Sequence, residues 1–328
     1  MADVILVTRR PPGDAVAMLR DHDRVAVWEG DGVMPREELL DQVARATGLY
    51  CMLTDQIDRA LLAVASELRA VSNMAVGVDN VDLVACSDAG IPVGHTPGVL
   101  TEATADMAFA LLLAAARRVG EGIDHVRADQ WGEWAPDLLL GQDVYGSTLG
   151  IIGMGRIGTA IARRGSGFGM SLVYASPSRK IEVEEELGAI RHDLSGVLTV
   201  ADHVVVAASL NAGTHHLMNE QLFRIMKSTA TFVNISRGAL VDTAALVKAL
   251  ESGAIAAAGL DVADPEPMRA DHPLANLPNC VVTPHLGSAS HKTRAAMAEL
   301  AARNLIAALS GKRMEACANP AVYAPPSG

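Results

Sequence analysis

Gly153-Met154-Gly155-Arg156-Ile157-Gly158 follows directly on the apolar run Ser147 to Ile152 and opens a segment, Thr159 to Phe168, that reads as a helix. A lone G-x-G-x-x-G says little. Set between a strand and a helix it prescribes a βα turn of a doubly wound sheet. In such a turn Gly153 allows the tight reversal, Gly155 lets the backbone approach a pyrophosphate, and Gly158 lets helix and strand pack closely. The pyrophosphate would rest on the free N–H groups of the helix N-terminus. The chain is therefore expected to hold a dinucleotide.

The next strand, Leu172 to Ala175, should end beside the adenosine ribose. NAD-binding chains usually place Asp or Glu there, about 20 residues past the glycines. Here Ser176-Pro177-Ser178-Arg179-Lys180 stands instead. No carboxylate would repel a 2′-phosphate, and two hydroxyls with two cations could hold one, so NADPH is expected to be favoured over NADH. In the alternative, Arg179 and Lys180 pair with Glu182, Glu184 and Glu185, a weak exposed arrangement.

Three further residues each follow a strand-like run: Arg237 after TFVNIS, Glu266 after AAAGLDVADP and His285 after CVVTP. Ligands of open parallel sheets bind outside the carboxyl ends of the strands, so these three can converge despite their separation in sequence. A guanidinium grips a carboxylate through two parallel hydrogen bonds. An imidazole exchanges protons near neutral pH, and a neighbouring carboxylate favours its charged form. The combination suits reduction of a 2-oxo acid or oxidation of the matching 2-hydroxy acid. The remaining histidines need no such role, and no His, Asp or Glu cluster has metal-ligand spacing.

With 328 residues, two domains are the better expectation. A net charge of −11 argues against nucleic acid and anionic membrane as partners. Anionic ligands must then be drawn by local positive groups. Cys51, Cys86, Cys280 and Cys317 lack metal-ligand spacing, and the first three lie in or beside apolar runs; buried free thiols in a reducing cytoplasm are expected. The segment Met1 to Val4 lacks the basic region of a signal peptide. The longest apolar run, Met107 to Ala116, is too short to span a bilayer and reads as a helix buried on all sides.

Along the chain, strands are expected at Val4–Thr8, Val25–Trp28, Leu49–Leu53 and Ala70–Met74. Helices are expected near Asp14–Arg20, Pro35–Ala46, Asp58–Ala65 and Asp82–Ala89. A second alternation runs from Thr148 to His285, with helices at Asn219–Met226 and Thr243–Ser252 capped by Asn219 and Asp242. Alternation of this kind implies parallel sheets covered on both faces. A helix from Thr101 to Arg118 joins the two parts. A long helix, Ser290 to Leu309, is expected to return to the first domain and close a two-domain clamp. The Pro-rich end from Asn319 to Gly328 should be a loose tail.

On these residues the chain resembles the D-isomer-specific 2-hydroxyacid dehydrogenases, and within them the glyoxylate/hydroxypyruvate reductases. The resemblance rests on VTRRPP from Val7, NMAVGVDNVDL from Asn73, TPGVLTEATAD from Thr96, GIIGMGRIG from Gly150, NISRGALVD from Asn234, AAAGLDVADPEP from Ala256 and TPHLGSAS from Thr283. It implies an α/β fold of two doubly wound parallel-sheet domains. A flavodoxin-like substrate domain, 1–98 with 290–328, would carry an inserted Rossmann cofactor domain, 99–289. It also implies a homodimer built on the cofactor domains and reduction of glyoxylate or hydroxypyruvate to glycolate or D-glycerate.

The resemblance further implies a catalytic set in which Arg237 binds the substrate carboxylate and carbonyl, Glu266 supports His285, and His285 donates the proton. The Val76-Gly77 backbone would hold the carboxylate, with Leu53 and Ser288 lining the substrate. Toward the cofactor it points to Thr104, the loop Gly153, Met154, Gly155, Arg156 and Ile157, the segment Ser176 to Lys180, Ser209, Thr214, Ile235, Asp261 and Gly287. Where animal relatives carry a tryptophan that reaches the neighbouring subunit's pocket, this chain has Asp137-Leu138-Leu139-Leu140, with Leu138 in the tryptophan's place. Other dehydrogenases of the family are the nearest alternatives. NAD(H)-sensing corepressors, which share the fold and the Arg, Glu and His, are a remote one.

Overall fold

The structure is a computed structural model that describes residues 4–324. The chain divides into two compact units, Met1–Leu100 with Ala289–Gly328, and Thr101–Ser288.

The first unit carries a five-stranded parallel sheet of β1 (Val4–Val7), β2 (Arg24–Val27), β3 (Gly48–Cys51), β4 (Ala70–Asn73) and β5 (Val93–Gly94), in the order β2-β1-β3-β4-β5. Alternate strand residues face opposite sides. Leu6, Leu49, Cys51, Val71 and Val93 enter one buried apolar cluster. Tyr50 and Ser72, register partners on β3 and β4, point the other way. Their hydroxyls donate to the carbonyls of Ala298 (3.1 Å) and Ala301 (2.8 Å) on the helix His291–Leu309, which thus belongs to the first unit. Ser290 caps that helix through the Thr293 amide.

The expected loose tail is corrected over residues 319–324. Asn319 is buried, and its side-chain oxygen accepts from the Val93 amide at 2.8 Å. Its amide group donates to the Ile91 carbonyl at 3.0 Å, and Pro320–Tyr323 form a 3-10 turn. One asparagine satisfying an open strand edge outweighs the low order that proline and small residues suggest. The rest of that expectation, 325–328, lies outside the described residues.

The second unit carries seven parallel strands: β6 (Thr148–Ile152), β7 (Ser171–Ala175), β8 (Ile190–Arg191), β9 (His203–Val206), β10 (Thr231–Asn234), β11 (Ala257–Leu260) and β12 (Cys280–Val282). Their order is β12-β11-β10-β9-β6-β7-β8, a doubly wound arrangement whose direction reverses between β6 and β9. Ile151, Val205 and Val233 feed a core under one layer of helices. Ile152, Val204, Val206 and Phe232 feed a second core on the opposite face. Two-sided burial explains why these strands read as continuous apolar runs. Asp193, Asn219 and Asp242 cap their helices by accepting from backbone amides in the first turn.

Three expectations change here. The helix from Thr101 ends at Ala116, and Arg118 (φ +52) turns the chain into a separate helix, Val119–Arg127. Gly120 and Gly122 weaken helical propensity and hid that element in the sequence. The apolar run Met107 to Ala116 is not buried on all sides, because Ala110 is exposed. Cys280 is half-buried rather than buried; all four cysteines are free thiols, and burial pushes that of Cys280 up to about 12. Among the described residues no helix is long and apolar enough to cross a membrane.

Candidate active site

The glycine loop lies at the carboxyl end of β6, beside the point where strand order reverses. Gly153 has φ +99, and a β-carbon there would lie 2.6 Å from the Ala208 nitrogen, so only glycine fits between β6 and the loop after β9. The helix Arg156–Gly167 starts one residue past Gly155, whose α-carbon faces open space. A groove of about 590 Å³ opens there. It gathers Gly153, Met154, Gly155, Ser176, Ser178, Lys180, Ser209 and Thr214 from the expected cofactor residues. The Thr214 hydroxyl donates to the Ser209 carbonyl at 2.8 Å and closes the loop between them.

Arg156 and Ile157 begin the helix behind the groove and do not line it; Ile157 packs on the core, and Ile235 is buried in it. Arg179 also lies outside the groove lining. Its guanidinium is held by Glu184 at 2.7 Å, and Glu184 accepts the Tyr174 hydroxyl at 2.7 Å as well. Those two bonds hold the Glu184 carboxyl below its usual range. The pairing alternative thus describes Arg179, whereas Lys180 stays at the groove.

Among the groove residues that escaped sequence reading are Arg191 and His192. Arg191 ends β8, a two-residue strand whose residues are both exposed, and His192 follows it. No apolar run marks such a strand. Only its parallel pairing, Tyr174 opposite Arg191, brings it beside the Ser176 loop.

Arg237, Glu266 and His285 all lie past carboxyl ends of the same sheet, after β10, β11 and β12. His285 Nδ1 is 2.6 Å from Glu266 Oε1. Arg237 precedes the 3-10 turn Gly238–Leu240, and its own carbonyl accepts from the Asn234 side chain at 2.8 Å. A β-carbon on Gly238 would lie 1.9 Å from the Ala263 oxygen, so the Arg237 turn seats directly against the segment leading to Glu266.

Burial pushes the Glu266 carboxyl up. The hydrogen bond and charge of His285, the Ala263 amide and the Arg237 charge outweigh that push and hold it below its usual value. Arg237 is therefore near enough to act on Glu266 electrostatically. The imidazole is about a quarter exposed and the carboxylate somewhat more, which leaves the pair open to a ligand.

His285 has φ +56, a conformation that non-glycine residues rarely adopt. Asp261, buried just past β11, sustains it. Its backbone carbonyl accepts the His285 amide at 2.9 Å, and its carboxylate accepts from the amides of Leu286 (2.7 Å) and Gly287 (2.6 Å) and the Thr283 hydroxyl (2.7 Å). Thr104 lies beneath Gly287, so Thr104, Asp261 and Gly287 form one buried cluster under the histidine loop, with half-buried Ser288 next to it.

In the first unit, Leu53 and the Val76-Gly77 pair follow β3 and β4. Asn80 donates to the Met52 carbonyl (3.1 Å) and the Asp55 carbonyl (2.8 Å), and Asn73 donates to the Gly77 carbonyl (3.1 Å). The His95 ring meets the Val76 carbonyl at 3.0 Å. Both carbonyls are thus engaged. Among the described residues neither the Val76 nor the Gly77 amide donates to a backbone carbonyl. No group of three or more His, Cys, Asp or Glu that could hold a metal occurs among the described residues.

Residues 109–287 match the family described as "D-isomer specific 2-hydroxyacid dehydrogenase, NAD binding domain". The chain is 48% identical over 316 residues to a glyoxylate reductase of Thermococcus onnurineus, covering 95% of this chain and 94% of that protein. Among solved structures it is similar to a protein of Thermus thermophilus (TM-score 0.90, 47% identity, 96% of this chain and 99% of that one). It is also similar to an NADPH-dependent glyoxylate/hydroxypyruvate reductase of Sinorhizobium meliloti in complex with NADP and malonate (TM-score 0.84, 31% identity, 96% of each chain).

Proposed function

The chain belongs to the D-isomer specific 2-hydroxyacid dehydrogenase family, and we propose that it is an NAD(P)-dependent oxidoreductase that reduces glyoxylate, hydroxypyruvate or both to the 2-hydroxy acid. The observation that carries this reading is the 2.6 Å His285–Glu266 pair beside Arg237, on the same sheet as the dinucleotide groove.

When bound, NAD(P)H supplies the hydride. The groove fits such a cofactor, because the glycine loop leaves Gly155 open and no carboxylate stands at Ser176. Arg237 binds the substrate carboxylate and stabilises the negative charge that develops on the carbonyl oxygen. Glu266 occupies Nδ1 of His285, which leaves Nε2 as the ring nitrogen that delivers the proton to that oxygen. Glu266 thereby fixes the tautomer and the ring orientation. The Val76 and Gly77 amides are assigned to the substrate carboxylate, Leu53 to an apolar wall and Ser288 to the substrate's outer end. Asp261, Thr104 and Gly287 are assigned to holding the His285 loop against the nicotinamide side.

NADPH is proposed as the favoured cofactor, on the uncharged Ser176 and the groove-lining Lys180. A homodimer through the second unit is proposed from the helix Val119–Arg127, whose Val119, Ile123 and Val126 form an exposed apolar stripe near exposed Trp131 and Trp134. The four free thiols are in keeping with a cytoplasmic setting.

Steady-state turnover of a 2-oxo acid panel with NADPH and with NADH tests the whole reading. The expected result is the highest kcat/KM on glyoxylate or hydroxypyruvate. Another 2-oxo acid far ahead of both would assign a different dehydrogenase activity, and a folded protein with no turnover would exclude catalysis.

A further inference from the structure

We infer that Arg191, at the end of β8, is the residue that selects the adenosine 2′-phosphate, and that Arg179, the more obvious cation in the sequence, is a structural tie. This rests on the proposal that NADPH is the favoured cofactor and names the group that would favour it. Arg191 Nε and Nη2 donate to the Ser176 carbonyl at 3.3 and 3.0 Å, and Nη2 also donates to the Pro177 carbonyl at 3.1 Å. The guanidinium is thus anchored over the turn that ends β7, where the ribose of a bound dinucleotide lies. Nη1 takes no part in these bonds. Arg191 lines the groove together with Ser176, Ser178 and Lys180, and it also lines the adjoining surface cavity.

The nearby acids are already committed. Glu184 holds Arg179 and the Tyr174 hydroxyl, and Asp193 caps the next helix by accepting from the Gly196 amide at 2.7 Å. The Lys180 amide donates to the Tyr174 oxygen at 2.7 Å, which ties the Arg179–Lys180 backbone to the same assembly. Arg179 must break a charge-assisted pair before it can reach a phosphate. Arg191 already sits in place, hydrogen-bonded to neutral carbonyls, and the carboxylate of Glu184 feels its charge without bonding it. A planar guanidinium so fixed gives a phosphate oxygen a preformed partner with little ordering cost.

The test measures binding of 2′,5′-ADP and 5′-AMP by calorimetry, and kcat/KM with NADPH and NADH, in the wild type, Arg191→Ala, Arg191→Gln and Arg179→Ala. Arg191→Gln removes the charge but keeps a shorter N–H donor near the Ser176 carbonyl, and the unphosphorylated ligands report any loss of loop support. The expected result is that both Arg191 variants weaken 2′,5′-ADP and NADPH about tenfold, the scale of one charge-assisted hydrogen bond. Binding of 5′-AMP and NADH should change little, and Arg179→Ala should move the ratio less than either Arg191 variant. Equal weakening of phosphorylated and unphosphorylated ligands, wild-type discrimination retained in Arg191→Gln, or a larger effect of Arg179→Ala would each overturn the inference while leaving the NADPH reading intact. A wild type that binds 2′,5′-ADP no better than 5′-AMP would sink the NADPH reading, and the inference with it.

Discussion

Asp261 holds His285 directly and also holds the two residues that follow it. The Asp261 carbonyl accepts the His285 amide at 2.9 Å, and the Asp261 carboxylate accepts the next two amides at 2.7 and 2.6 Å. The His285 side chain therefore stands on a loop held at positive φ by one buried aspartate.

That arrangement makes Asp261 a positioning residue with a testable cost. Asp261→Asn keeps the size but turns an N–H group toward donors and leaves at least one of them unpaired. The expected loss of stability is about 1–3 kcal/mol, the cost of one buried unsatisfied group. Thermal melts should show a lower Tm, and turnover should fall through kcat. A variant with wild-type Tm and kcat would mean that the His285 loop holds its conformation without this carboxylate.

Arg237→Lys keeps the charge and loses the planar fork. If Arg237 grips the substrate carboxylate, kcat/KM on glyoxylate should drop by about 2 kcal/mol or more, the lower end for a disrupted desolvated charge pair. Wild-type efficiency in this variant would remove Arg237 from the substrate-binding role.

The pH dependence follows from Glu266, whose carboxyl is held below its usual value. A depressed carboxyl stabilises the fold above its unfolded pKa, and the contribution disappears as pH falls through the folded pKa. The stabilisation from the Glu266 carboxylate should therefore be present at neutral pH and be lost on the acid side. Glu266→Gln should flatten that acid limb of the stability profile and slow turnover. His285→Asn should lose roughly 10²–10⁴ in rate, the usual worth of a general acid. Identical acid limbs in Glu266→Gln and wild type would show that the pair carries no such linkage.

The stripe on Val119–Arg127 predicts an association state. Ile123→Asp places a charge in the middle of an exposed apolar face and should convert a dimer to monomers in sedimentation velocity, at a concentration where the wild type is dimeric. A wild type that sediments as a monomer, or a variant that stays dimeric, would count against this face as the interface.

The sheets were legible because burial on both faces leaves apolar runs in β6, β7, β10 and β11, and because the glycine loop needs residue types that few other settings require. Arg237, Glu266 and His285 were legible for a related reason: each follows such a run, and strand ends of one parallel sheet are where ligands bind. The short strands β5 and β8 carried no run to read, and the helix Val119–Arg127 was hidden by its glycines. Asn319 looked like the start of a tail because its partners, Val93 and Ile91, lie more than two hundred residues away.

The sequence by itself thus determined where the longer strands form, where the glycine loop lies and that Arg237, Glu266 and His285 follow strands of one sheet, since these depend on local pattern and residue type. Only the tertiary structure decided how the cations are used. Arg179 and Arg191 look alike as isolated letters. Parallel pairing of β7 with β8 sets Arg191 over the Ser176 turn, while Glu184, one turn into the following helix, claims Arg179. The same holds for Asp261, whose carboxylate is committed to the His285 loop by hydrogen bonds that exist only once β11 and β12 lie side by side.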